Sequence, residues 1–145
     1  MNLVTFTAGG RQHWGVTAPG GVLALDAEFP QWRSLRGVIE AAAIPLVLAA
    51  ATGRAASHAD GSFTLDPPVP DPEKIICVGV NFPDRNAEYR DGQDAPPNMS
   101  LFVRFPRSFT GHDQPLIRPP ESPQLDYEGE IAIVTKESVT VVDED

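Results

Sequence analysis

Leu125-Asp126-Tyr127-Glu128-Gly129-Glu130-Ile131-Ala132-Ile133-Val134 is the most informative segment of this chain. Side chains on a strand alternate between faces, so Asp126, Glu128 and Glu130 share one face, and Gly129 adds no side-chain bulk to the other. Three carboxylates crowded together repel, and a proton or a bound cation relieves them. The apolar run from Ile131 to Val134 reads as a strand buried on both faces, which puts the acids at the mouth of a core strand. Oxygen-only ligands suit Mg²⁺, Mn²⁺ or Ca²⁺ and argue against zinc. The spacing leaves open a plainer alternative, a solvated acidic turn ahead of a strand.

Upstream, residues 74–80 form a continuous apolar run ending at Gly79-Val80-Asn81 and read as another core strand. Pro83 suits the first turn of a short helix over 84–89, on which Arg85 and Glu88 share a face. A polar, proline-rich loop leads to a strand over 101–105, then to the turn Gly111-His112-Asp113-Gln114-Pro115. Ahead of all this, Asp66-Pro67-Pro68-Val69-Pro70-Asp71-Pro72 holds four prolines in seven residues, a stiff connector with few donors. Residues 1–66 are therefore expected to be a small N-terminal domain, 67–73 a linker, and 74–145 the start of a second domain. The first domain reads as a meander of strands over 3–7, 13–17 and 22–25, joined by Gly9-Gly10 and Pro19-Gly20-Gly21. A helical stretch over 32–51 follows, divided at Pro45 into 35–43 and 46–51. Its histidines, His13 and His58, have no constellation of ligands or acids around them in the sequence. The fold class is mainly β (α+β), and the last residues look like a strand without a partner, as if the chain stops mid-domain.

The formal charge is -9, from 20 acidic and 11 basic residues, which opposes binding to nucleic acid or to an anionic membrane. The longest apolar run, around Pro45, is too short to span a bilayer. No basic stretch followed by an apolar one opens the chain, so no signal peptide is expected. The single cysteine, Cys77, excludes an internal disulfide, suits a reducing cytoplasm and reads as a small buried hydrophobe.

Together these blocks resemble the fumarylacetoacetate hydrolase family. The matching elements are Lys74 to Phe82, Asp84 with Ala87-Glu88, Leu101-Phe102-Val103-Arg104 with Pro106 and Ser108, the turn from Gly111 to Pro115, and Leu125 to Val134. Residues 1–65 resemble more loosely the small N-terminal domain found in many bacterial members. The resemblance implies a mixed β-roll or barrel, a dimer, and a divalent-metal enzyme acting on small β-diketo or 2-oxo acids, often in breakdown of aromatic compounds. It implies Glu128 and Glu130 as ligands of Mg²⁺, Mn²⁺ or Ca²⁺, with Asp126 in a supporting place. It also implies a third ligand, an aspartate beyond Asp145, so the chain by itself is expected to be inactive and to associate through open strand edges. A non-catalytic binding module or one half of a split enzyme is the competing reading.

Hydrolases of the family pair a histidine and a glutamate on the short helix to activate water. Glu88 matches the glutamate, but Arg85 stands where the histidine belongs, and an arginine stays protonated. That favours isomerisation, a lyase-like step or a changed substrate over water-activated hydrolysis; an ordinary Arg85–Glu88 ion pair is the alternative. The helix is expected to act as a mobile lid. Arg104 is a candidate for gripping a substrate carboxylate, or else a surface arginine, and His112 reads as a solvated loop residue.

Overall fold

The computed structural model describes residues 1–79, 98–127 and 129–136. Arg85 and Glu88 with their expected helix, Glu128, and the expected terminal strand after residue 138 lie outside the described residues. The fold is mainly β, in two compact units: Met1–Pro70 with Thr110–Asp145, and Asp71–Phe109.

The first unit holds an antiparallel sheet of β1 (Leu3–Ala8), β2 (Arg11–Ala18), β3 (Gly21–Ala24), β4 (His58–Ala59) and β5 (Thr64–Leu65), in the order β4-β3-β2-β1-β5. Ala8 pairs with Arg11, leaving Gly9 and Gly10 as a two-residue hairpin loop. Their φ values of 57° and 77° are those a primed turn requires at both centres. Pro19-Gly20 closes the next hairpin, with φ 76° at Gly20. The expected meander is present; β4 and β5 are two-residue additions at its sides.

Alternation along the strands gives the sheet two apolar faces. On one, Trp14, Val16, Leu23 and Leu25 pack with Leu35, Val38, Val47 and Ala51 of the helices α1 (Leu35–Glu40) and α2 (Ile44–Ala51). On the other, Val4, Phe6, Ala8 and Val22 pack with Phe63 and Leu65. Thr5 is a buried polar residue, and its hydroxyl donates to the Pro68 carbonyl at 2.7 Å. Asp66 accepts from Thr7 Oγ1 and Gln12 Nε2 and donates its own N–H to Thr5 O, so the proline-rich segment leaves the sheet fastened to β1. Gly15 sits where β3 comes so close that a Cβ would run into the Leu23 carbonyl.

The helical stretch divides earlier than expected. Pro45 lies in the first turn of α2, where its missing N–H breaks no bond. α1 stops at Glu40 in a Schellman motif: Ala43 N–H bonds Val38 O, Ala42 N–H bonds Ile39 O, both at 2.9 Å, and Ala42 is left-handed at φ 53°. Glu28 and Arg54 meet through two hydrogen bonds of 2.6 and 2.9 Å. The bond to Arg54 lowers the Glu28 pKa below its ordinary 4.5. What this exposed pair contributes is therefore complete above pH 4.5 and is lost as the pH falls through the depressed value.

In the second unit, β6 (Ile76–Gly79) and β7 (Ser100–Val103) form an antiparallel ribbon, with Cys77 opposite Phe102, followed by a 3₁₀ turn, Pro106–Ser108. Cys77 is half-buried rather than buried, since a two-stranded ribbon covers its own faces poorly. The run from Ile131 to Val134 departs from expectation: it joins no sheet among the described residues, and Ile131 and Ile133 are 93% and 85% exposed. Apolar residues create a demand for burial, but a strand exists only where another pairs with it. Among the described residues, no helix is long and apolar enough to cross a membrane.

The left-handed alanine gives a direct stability test. Ala42→Gly removes the Cβ strain of about 1–2 kcal/mol, less the entropy cost of a glycine, and is expected to stabilise the N-terminal unit by roughly 0.5–1 kcal/mol. Ala41→Gly, at φ −77°, relieves no strain and is expected to destabilise it by about the same amount. Urea unfolding followed by tryptophan emission measures both.

Candidate functional site

Arg104 follows β7 directly, and its N–H bonds the Ile75 carbonyl at 3.2 Å, extending the ribbon by one rung. Its guanidinium carbon lies 5.0 Å from the centre of the Phe102 ring, a cation–π contact that steadies the side chain while leaving its donors in solvent. An arginine held by its stem with its fork exposed can receive a carboxylate. The Phe102 ring in turn packs 3.5 Å from where a Cβ on Gly79 would be.

Of the acidic segment, Asp126 and Glu130 are described and both are exposed. Asp126 Oδ1 accepts the N–H of Tyr127 at 2.8 Å, so one of its oxygens is turned back on the chain. Glu130 carries no such local bond among the described residues, and its carboxylate is available to a cation. The donor chemistry, carboxylates only, fits a hard divalent ion. Among the described residues no three His, Cys, Asp or Glu side chains converge on one point. His112 is an exposed loop residue, 3.4 Å from the carboxylate of its neighbour Asp113.

The N-terminal sheet corrects one expectation outright. His13 and His58 do have a constellation around them. Their rings lie 5.4 Å apart, and both pack on Phe6, at 5.4 and 5.2 Å. His13 Nδ1 lies 3.2 Å from both carboxylate oxygens of Asp26, and Arg11 Nη2 reaches the same carboxylate at 3.2 Å. Ser57 Oγ is 2.9 Å from His58 Nδ1. The signal was in the turn: in the hairpin register that pairs Gly15 with Ala24, His13 and Asp26 stand opposite each other. Beside this group opens a cleft of about 350 Å³, lined by Arg11, Gln12, Trp14, Asp26, Trp32 and Arg33 among others.

Comparison with known proteins connects the second piece of the chain to a family. The profile described as fumarylacetoacetate (FAA) hydrolase C-terminal matches residues 74–145. The chain is 39% identical over 79 residues to oxaloacetate tautomerase YisK of Bacillus subtilis, covering 52% of this chain and 26% of that protein. It is 40% identical over 67 residues to the mitochondrial oxaloacetate tautomerase Fahd2a of Rattus norvegicus, covering 46% and 21%. The matched region thus spans about a quarter of the length of these relatives. In fold, the chain is similar to an HpcE-like protein of Mycobacterium smegmatis, with a TM-score of 0.55 and 21% identity over 80% of this chain and 40% of that one. Through residues 74–145, this chain belongs to the fumarylacetoacetate hydrolase family of enzymes.

Proposed function

We propose that residues 74–145 supply part of the active site of a divalent-metal-dependent enzyme acting on small 2-oxo or β-diketo acids. Interconversion of the keto and enol forms of oxaloacetate is its best-supported reaction. The observation that carries this reading is the likeness to two proteins named as oxaloacetate tautomerases, at 39% and 40% identity. The residue at position 85 points the same way. Moving a proton between carbon and oxygen needs no activated water, and a permanently charged arginine cannot supply one.

In this reading Glu128 and Glu130 would hold Mg²⁺, Mn²⁺ or Ca²⁺. The ion would act as a Lewis acid for the 2-oxo acid and stabilise negative charge developing on its oxygen. Arg104 grips the distal carboxylate and orients the acid. Glu88 takes the proton from carbon, and Arg85 pairs with Glu88 or binds the substrate carboxylate. The functional assembly is a homodimer in the cytoplasm. The second reading is a binding or assembly module without turnover.

Calorimetric titration with Mn²⁺ separates the two. Binding in the micromolar range is expected, weakened about tenfold or more by Glu130→Gln or Glu128→Gln, whereas silence at millimolar Mn²⁺ supports the module. In a turnover-competent protein carrying this segment, Arg85→His is expected to raise hydrolysis of an acylpyruvate relative to tautomerisation of oxaloacetate. An unchanged ratio, read by following both substrates in the ultraviolet, would remove position 85 from the argument.

A further inference from the structure

We propose that the N-terminal sheet carries a second ligand site: the cleft beside Asp26 binds the carboxylate of a small, single-ring organic acid. It shares no residue with the acidic segment, so it stands or falls independently of the metal site.

The cleft, at about 350 Å³, lies at the lower end of the range for small-molecule pockets. Its apolar wall is made by Trp32 and Pro30, with the buried Trp14 beneath. Trp14 is fixed there by the bond from its indole Nε1 to the Trp32 carbonyl at 3.0 Å, and Trp32 is stacked on Phe29 at 5.5 Å. A flat, rigid wall of this kind takes a ring against it with little loss of side-chain freedom.

The charges at the rim are unequal in a way that selects an anion. In a chain of net charge -9, two arginines converge here, Arg11 and Arg33. Asp26 is the acidic group on the lining, and Arg11 and His13 both lie against its carboxylate. That contact leaves Arg11 held in place and 72% exposed. Elsewhere in residues 1–70, Arg36 pairs with Glu40 and Arg54 with Glu28. Arg33 is exposed, is in no ion pair with the described residues, and lies between Trp32 and the start of α1 at Leu35. Its guanidinium offers a two-pronged grip on a carboxylate. One uncommitted positive charge matches a monoanion; a phosphate would bring a second negative charge toward Asp26.

The test uses the intact chain and sodium benzoate as probe, with benzyl alcohol as its uncharged counterpart. Both tryptophans of the chain line the cleft, so their emission reports occupancy directly, and calorimetry checks it. Saturable quenching by benzoate is expected with a Kd of about 1 mM or below, and binding of benzyl alcohol about tenfold weaker. Arg33→Gln should weaken benzoate about tenfold at unchanged circular dichroism, and Arg33→Lys should recover part of the loss. Glu130→Gln should leave benzoate affinity untouched. No saturation by about 20 mM, equal affinity for the alcohol, or an Arg33→Gln affinity within about twofold of the parent would each overturn the proposal.

Discussion

The burial of Trp14 is the interaction on which the N-terminal unit depends. It sits on the middle strand of the sheet, 1% exposed, among side chains from β2, β3, α1 and α2. Its indole N–H finds the Trp32 carbonyl, so the largest side chain in the core is buried without an unmet donor. Truncating an aromatic of this kind costs about 3–5 kcal/mol, a large part of what a small domain possesses. The same bond fixes the segment 29–34 that leads into α1, and so shapes one wall of the cleft. Packing and the geometry of that cleft are two results of a single contact.

The strands of the meander were readable because glycine and proline mark their ends and alternation marks their faces. β4 and β5 were not, since two residues carry no period, and they exist only because β3 and β1 offer them partners. The helix division falls before Pro45 rather than at it, because a proline in a first turn starts a helix. For residues 131–134 the pattern stated correctly what those side chains are, but not whether they are covered.

The family was legible for a different reason. The ordered blocks from Lys74 to Val134 identify a family through shared ancestry, without any need to know the contacts. The group around Asp26 had no such shortcut. His13, Asp26 and His58 are scattered in sequence, and only the hairpin register and the pairing of Val22 with His58 bring them to one place. Local pattern finds residues that act within one strand or one helix; it does not find those that meet across a sheet.

The two-residue strands at either side of the N-terminal sheet have a consequence for how copies of this chain can meet. A long open edge is a template on which another chain can add a strand. Here β4 and β5 are each too short to guide one. Just past β5, the Asp66 N–H bonds the Thr5 carbonyl of β1, a backbone group that an incoming strand would need. Among the described residues, the sheet thus offers little edge on which another chain could add a strand. Short edges of this kind favour self-association through side-chain surfaces, where specificity is set by shape and charge rather than by the generic hydrogen bonding of a strand.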